Sequence, residues 1–340
     1  MKDSNNIMIL KDSSTPVVYK VIATPNSFKM GYNIELTEKF GRDHKLSTHA
    51  PSRPLARYPG SKNRLAPWII EHIPAYHDTY ILPYGGMAAT LFKKVRSGIE
   101  VYNDLDGDAV HLFRTIREDK DALIDAIAMT PWSPEELELA SSPTDVPVER
   151  ARRFFCRLWM AYYPYDLNLC FRRQMKYSRG SSGKSSMVPA AKLFADIDYL
   201  FVVAERLRGV ILENRTALEI LATYDYDRAF FYCDPPYTHD TRSRTTHYSN
   251  EMGIEQHREL GKALNNIQGM AIVSGYASPL YKELYEDRGW LRVDKLARTN
   301  GHDKIESIWL NRYTAEELER ETTEREEEAI ENERQLRMFG

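Results

Sequence analysis

The chain has 340 residues, of which 42% are hydrophobic and 28% are charged, and its mean hydropathy is −0.52. This length permits about two domains around a sizeable core, and no apolar run approaches the ~20 residues of a membrane span. Three cysteines without CxxC spacing and nine histidines without an HxH or HExxH pattern argue against a disulfide framework and a metal site. We therefore expect a protein of the reducing cytoplasm that binds neither metal nor membrane.

Charge is unevenly distributed along the chain. The formal net charge is −3, but residues 315–340 contain ten Glu and four Arg, which leaves a net charge of +3 on residues 1–314. A mildly basic body permits nucleic-acid binding without requiring it. The acidic tail, residues 314–340, predicts either a charged helix or a disordered segment.

The first part of the chain predicts an extension followed by alternating strands and helices. Residues 1–50 are polar and predict at most a short strand near residues 17–22, and three prolines then stiffen the entry to the next segment. From residue 65 the pattern predicts a helix at about 65–73, a strand at 80–82, a helix at 87–97, a strand at 99–102 and a helix at 106–117. This alternation predicts a parallel sheet covered by helices.

The alternation stops between residues 118 and 195 and then resumes. Ser133 before Pro134 predicts a helix start, and a further helix is predicted at 147–163. The later elements are a helix at 192–207, strands at 209–213, 229–233 and 270–274, a helix at 254–267, and extended segments at 290–298 and 305–311. We expect an inserted, mainly helical subdomain (118–195), a catalytic domain formed by 51–117 and 196–313, and a closing antiparallel hairpin.

The four residues Asp234-Pro235-Pro236-Tyr237 directly follow the apolar strand predicted at 229–233. Ligands of open parallel sheets bind beyond the carboxyl ends of strands, and two prolines stiffen the loop there. A carboxylate and a fixed carbonyl can accept both hydrogens of an exocyclic amine, and an aromatic ring can stack on a base. The alternative is a tight surface turn.

These motifs together resemble a known family. Arg57–Lys62, Pro83–Gly86, Asn103-Asp104, an insert and Asp234–Tyr237 occur in the order found in Dam-type N6-adenine DNA methyltransferases, which use S-adenosylmethionine. The resemblance covers residues 55–313, and the runs 213–214, 248–252 and 306–311 are similar to those of phage-borne members. It implies a Rossmann-like class I methyltransferase sheet, mostly parallel, with an inserted DNA-recognition subdomain.

The resemblance also implies a site for S-adenosylmethionine. The predicted cofactor-binding residues are Tyr58, Lys62, Tyr84, Gly85, Gly86, Asp104 and Asp234. The glycine turn would face the methionine part, the carboxylate of Asp104 would accept from the ribose hydroxyls, and Tyr58 would pack near the adenine. The alternatives are a plain turn, an N-cap at Asp104 or Asp106, and an ordinary basic loop.

The sequence departs from the family pattern at two places in this predicted cofactor site. Leu82 replaces a usual acidic residue, and Met87-Ala88 replaces part of the glycine-rich turn. Both departures bear on the affinity for the cofactor.

Basic residues next to aromatic ones predict the DNA contacts. The predicted DNA-binding residues are Arg57, Arg172, Arg173, Lys176, Arg179, Lys184 and Arg242, most of them in the insert. The alternative for the insert is a solvated loop. The terminal residues 335–339, Gln-Leu-Arg-Met-Phe, resemble the peptide by which bacterial proteins bind the replicative sliding clamp, and a frayed helix end is the alternative.

The function implied is methyl transfer to N6 of adenine in duplex DNA by base flipping and direct transfer. The predicted catalytic residues are Asp234, Pro235, Pro236 and Tyr237. Two rivals remain: an enzyme that methylates cytosine N4 or RNA, and a DNA-binding relative without activity.

Overall fold

The computed structural model describes residues 21–24, 33–36, 51, 53–166, 169–173, 190–237, 252–299 and 302–339. The chain divides into two compact units, Met1–His44 and Lys45–Gly340. In the first unit, strands β1 (Val21–Thr24) and β2 (Asn33–Leu36) pair in antiparallel register. The expectation of at most one short strand near 17–22 is wrong, because a second strand pairs with the backbone groups that a single strand would leave without partners.

The second unit is built on a seven-stranded sheet. Its strands are β3 (Thr79–Leu82), β4 (Ile99–Asn103), β5 (Ile211–Glu213), β6 (Ala229–Cys233), β7 (Met270–Gly275), β8 (Leu291–Thr299) and β9 (His302–Leu310). They lie in the order β5-β4-β3-β6-β7-β9-β8, with β9 antiparallel to both of its neighbours and all other pairs parallel. The predicted Rossmann-like sheet with a closing hairpin is confirmed.

Twelve helices accompany these strands in the described part of the chain. They are α1 (Ala66–Glu71), α2 (Ala89–Lys93), α3 (Gly107–Glu118), α4 (Lys120–Ala128), α5 (Pro134–Leu139), α6 (Pro147–Met160), α7 (Ala190–Ala195), α8 (Tyr199–Leu207), α9 (Ala217–Tyr224), α10 (Ile254–Leu264), α11 (Pro279–Leu284) and α12 (Arg312–Phe339). Every residue of β3, β6 and β7 is buried, as expected where helices cover both faces of a parallel sheet.

Helices α4 to α7 occupy the predicted insert. The Ser133 hydroxyl accepts from the Glu136 backbone N–H at 3.2 Å, so the predicted N-cap is confirmed. Phe155 of α6 belongs to the same apolar core as Ile70 of α1 and Phe113 of α3. The insert therefore packs as part of the second unit, and its boundaries at 118 and 195 stay predictions.

Two predicted helices differ from the structure. The helix expected at 192–207 is wrong as one element, because the Arg53 guanidinium binds the backbone carbonyl of Asp196 and the chain turns before α8 begins. The helix expected at 87–97 is only the short α2. Ala88 has a left-handed backbone with a φ of 52°, and Lys94 is extended, so helical geometry cannot continue in either direction.

The acidic tail is a helix. The backbone N–H of Ala271 in β7 donates to the Asn311 side chain at 3.0 Å and to the Thr314 hydroxyl at 2.9 Å, which attaches the start of α12 to the sheet. Glu321 accepts from the backbone N–H of Ala75. Within the described ranges, no helix is both long and apolar enough to cross a membrane.

A buried ionic cluster links β4 to helix α8. The Glu100 carboxylate contacts Arg206 at 2.5 and 2.8 Å and the Lys94 ammonium at 3.3 Å, and all three residues are almost completely buried. Burial alone would raise the pKa of Glu100, but the two cations hold it below its usual value. Burial lowers the pKa of Lys94 to about 8.

We predict that Glu100→Gln destabilises the protein by roughly 3–5 kcal/mol, because it leaves two buried cations without their counter-charge. The free energy of unfolding, measured by denaturant titration, gives the comparison with wild type. Glu205→Gln is the matched control, since its exposed pair with Arg208 contributes at most about 1 kcal/mol. Equal losses in the two variants would contradict this role.

Candidate active site

A cavity of about 290 Å³ opens at the carboxyl ends of β3, β4 and β6. The chain runs outward from β3 to β4 and β5, and returns to the other side of β3 with β6, so the strand order reverses here. Residues from every predicted cofactor motif line the cavity: Tyr58, Lys62, Tyr84, Gly85, Gly86, Asp104 and Asp234. The structure therefore brings together residues that lie far apart in the sequence.

The Asp234 carboxylate, at the end of β6, is held through one oxygen. Its Oδ1 lies 2.9 Å from the Lys62 ammonium, and the Ser274 hydroxyl donates to the same atom at 2.6 Å. Ser274 in turn accepts from the Tyr232 hydroxyl at 3.1 Å. Both contacts fall on Oδ1, so the carboxylate has a fixed orientation and Oδ2 is the oxygen that can accept from a ligand.

The prolines give this loop a rigid path. Pro235 is buried, and Asp234 and Pro236 line the cavity, so the segment is not the exposed surface turn that was the alternative. Each proline fixes its own φ near −65° and lacks a backbone donor. The loop consequently offers backbone acceptors beside the Asp234 carboxylate.

Three side chains contact Tyr237. The Lys62 ammonium lies 4.6 Å from its ring centroid, and the Tyr276 ring packs against it edge to face at 4.7 Å between centroids. The Tyr237 hydroxyl donates to Glu306 at 3.4 Å. The ring is thus held close to the Asp234 carboxylate by residues from three separate segments.

The turn after β3 requires its glycines. A Cβ at Gly85 would lie 2.2 Å from the Tyr102 ring, and Gly86 has a φ of 48°. The backbone N–H of Gly85 donates to the Asn103 carbonyl at 2.7 Å. The turn therefore follows the end of β4 closely. Leu82 and Met87, the departures from the family pattern, are buried and contribute apolar wall to the cavity.

Asp104 follows β4 and joins this turn to helix α3. Its two oxygens accept from the backbone N–H groups of Gly86 at 2.7 Å and Asp106 at 2.8 Å. Asp106, not Asp104, caps α3, since its side chain accepts from Asp108. Burial among protein atoms raises the pKa of Asp104 to about 6, and the two N–H groups oppose that rise.

Tyr58 packs against the glycine turn. A Cβ on Gly86 would lie 3.3 Å from the Tyr58 ring. The Tyr165 ring packs edge to face against the Tyr58 ring, with 6.0 Å between centroids. The Tyr165 hydroxyl donates to Asp106 at 2.7 Å. The entry segment, the glycine turn and the insert therefore meet at one wall of the cavity.

Three of the predicted DNA-binding residues lie in the described structure. Arg57 and Arg172 are half-buried, and burial lowers the pKa of both, with Arg57 adding repulsion at Arg172. Arg172 donates to the Ala161 carbonyl at 2.8 Å and lies 4.5 Å from the Tyr162 ring centroid, whereas Arg173 is exposed. Lys176, Arg179, Lys184 and Arg242 lie outside the described residues.

Four residues of this region were not predicted as site residues. They are Tyr165, Ser274, Tyr276 and Glu306. Ser274 and Tyr276 flank Gly275 at the carboxyl end of a buried strand, and this position is the one sequence feature that could have marked them.

Burial raises the pKa of the Cys233 thiol, which keeps the thiol protonated. Among the described residues no His, Cys, Asp and Glu group of metal-binding size occurs.

The D12 class N6 adenine-specific DNA methyltransferase family matches residues 58–299, which is most of the chain. The chain belongs to this family. It is 24% identical to the type II methyltransferase M1.LlaDCHI of Lactococcus lactis subsp. cremoris, over 77% of this chain and 95% of the relative. It is 25% identical to the type II methyltransferase M.CviBI of Paramecium bursaria Chlorella virus NC1A, over 69% of this chain and 86% of the relative.

This D12 class methyltransferase is an adenine-specific DNA-modifying enzyme, and its family implies S-adenosylmethionine as the methyl donor. The cavity fits such a molecule in chemistry. Apolar side chains and three tyrosines form much of its wall, and Asp104 is only half-buried within it. Its volume is near the lower end of the ~300–1,000 Å³ of small-molecule sites.

The pKa of Asp104 predicts a pH dependence of cofactor affinity. The neutral form is a poorer acceptor for hydroxyl donors than the carboxylate, so the dissociation constant for S-adenosylmethionine should stay level above pH 7 and rise as the pH falls through about 6. Calorimetric titrations between pH 5 and 8 measure this constant.

Two variants make this pH test specific. Asp104→Asn should bind more weakly at pH 8 and show no such dependence, whereas Asp121→Asn, at an exposed position on α4, should behave as wild type. A wild-type profile that is flat across pH 6 would contradict the role of Asp104.

Proposed function

We propose that this methyltransferase turns its target adenine out of duplex DNA and methylates N6 by direct transfer beside the Asp234–Tyr237 loop. The observation that carries the proposal is the Asp234 carboxylate, held through Oδ1 at the wall of the cavity. A base inside a duplex cannot reach such a site, and extruding it costs a few kcal/mol.

S-adenosylmethionine, when bound, supplies a methyl group on a positively charged sulfur. Asp104 and the turn Gly85-Gly86 would hold its ribose and methionine parts, with Tyr84 as part of the same wall. Tyr58 would pack near its adenine, since its ring lies against the glycine turn and lines the cavity. Lys62 would lie between this part of the cavity and Asp234, whose carboxylate its ammonium contacts.

The residues of the loop would activate the amine. Asp234 Oδ2 and the Pro235 carbonyl would each accept one N6–H, which turns the nitrogen lone pair out of conjugation with the ring and aims it at the donor. Tyr237 would stack on the extruded adenine for about 1–3 kcal/mol. The buried, protonated Cys233 has no part, because transfer to an amine needs no covalent intermediate.

DNA would lie across the insert and the open side of the cavity. Arg57, Arg172 and Arg173 are the described candidates for phosphate or base contacts, and the charge of Arg57 adds to burial in lowering the pKa of Arg172. Sequence alone supports Lys176, Arg179, Lys184 and Arg242 in the same role. A recognition surface that unites the two sets is the expected arrangement.

A second proposal concerns the carboxyl end of α12. Residues 335–339 belong to that helix, and the Leu336 side chain is 76% exposed, so it is accessible to a partner. Resemblance to the clamp-binding peptide is the support for an interaction with the sliding clamp. Equal recovery of the clamp with chains that retain or lack residues 335–340 would contradict it.

We predict that Asp234→Ala lowers methyl transfer by at least a thousandfold while the dissociation constant for S-adenosylmethionine changes by only a few fold. Removal of the carboxylate takes away the acceptor that orients N6, which contributes mainly in the transition state. The measurement is sequencing of DNA from cells that express each chain, with detection of modified bases, followed by single-turnover transfer on the site that it reveals.

Wild-type expression should yield N6-methyladenine at one sequence context. Modified cytosine N4, or modified RNA in place of DNA, would favour another exocyclic-amine methyltransferase. No modification and no heat with S-adenosylmethionine would favour an inactive DNA-binding relative. Near-normal turnover of the Asp234→Ala variant would refute the mechanism itself.

A further inference from the structure

The closing hairpin, β8 and β9, places the Glu306 carboxylate at the edge of the sheet where Asp234 lies. Strand β9 pairs with β7 up to the position where Ser307 faces Gly275. Glu306 is therefore the first residue of β9 beyond that pairing, next to Tyr276, which follows β7. Because β6 and β7 are parallel neighbours, this point adjoins the end of β6, where Asp234 lies.

Glu306 receives two tyrosine hydroxyls, one on each oxygen. Tyr276 donates to Oε1 at 3.0 Å and Tyr237 donates to Oε2 at 3.4 Å. The two rings stand nearly perpendicular, with an interplanar angle of 74°. The Lys304 ammonium lies 3.5 Å from the Tyr276 ring centroid. One carboxylate thus fixes the positions of both rings at once.

Burying the Glu306 carboxylate costs free energy of folding. The residue is 8% exposed, and the charge of Lys304, two residues earlier in β9, interacts with its carboxylate. A carboxylate in such a place is less favourable for folding than an apolar residue of similar size. Its two oxygens orient the two tyrosines.

We propose that Glu306 is a positioning residue that sets the Tyr237 ring, through the paired Tyr276, at the angle at which it stacks on the target base. This inference rests on the proposed function, because it assigns Tyr237 a base to stack on. Tyr276 then forms the second, perpendicular wall of the slot that receives the base. The bonds to Glu306 fix where the axes of the two rings lie, and the edge-to-face contact between the rings restricts rotation about those axes, so the slot suits a flat ring.

The test compares Glu306→Gln and Glu306→Leu with wild type on the mapped DNA site. Gln keeps one acceptor and Leu keeps none, so kcat should fall in the order wild type, Gln, Leu, with a loss of roughly tenfold for Leu, the order expected when part of a stacking contact is lost. The dissociation constant for S-adenosylmethionine should stay near its wild-type value, and the melting temperature should not fall, because an apolar residue is tolerated there at least as well as a carboxylate.

Tyr237→Phe separates positioning from a general effect on the fold. It keeps the ring but removes the hydroxyl that Glu306 accepts from, so its effect and that of Glu306→Gln should not multiply in the double variant. Asp294→Asn is the matched control, because this acid lies on β8 of the same hairpin and bonds Ser307 and Arg292 instead.

Three outcomes would overturn the inference while leaving the methyltransferase assignment intact. They are a kcat within twofold of wild type for Glu306→Leu, effects that multiply with Tyr237→Phe, and a loss of cofactor affinity that parallels the loss of kcat. A wild-type chain that methylates no DNA would instead contradict the proposed function, and the role of Glu306 would fall with it.

Discussion

One carboxylate oxygen, Oδ1 of Asp234, connects the parts of this molecule that must act together. It receives the ammonium of Lys62 from the entry segment and the hydroxyl of Ser274 from strand β7. A carboxylate bound on one oxygen and open on the other has a defined direction, which is what orientation of an amine demands. The parallel pairing of β6 with β7 fixes the distance between Asp234 and Ser274, so the sheet itself determines this geometry.

The same sheet edge also explains why the predicted cofactor motifs converge. The reversal of strand order around β3 opens a crevice, and the loops after β3, β4 and β6 all line it. Gly85 must lack a side chain because the Tyr102 ring occupies that space, and Asp104 binds the next glycine. The glycine turn, Asp104 and the Asp234 loop are consequently parts of one wall, although Asp234 lies 130 residues beyond Asp104 in the chain.

Local sequence predicted the strands of the seven-stranded sheet and the position of the Asp234–Tyr237 loop, because each depends on neighbours in the chain. The Ser274 and Glu306 contacts escaped prediction because their partners lie 40 and 69 residues away, across strand pairings that local pattern does not specify. The break between α7 and α8 escaped for the same reason, since Arg53 acts on it from 143 residues away. The pattern at 192–207 is genuinely helical, and a tertiary hydrogen bond overrides it.

A structure with bound substrates tests most directly where the amine of the target base binds. In a crystal of the protein with duplex DNA that contains its site and a non-reactive analogue of S-adenosylmethionine, we expect the target adenine outside the helix. Its N6 should lie about 3 Å from Asp234 Oδ2 and from the Pro235 carbonyl oxygen, with its ring on Tyr237. An adenine that remains stacked in the duplex, or an extruded one whose amine points away from Asp234, would contradict the account.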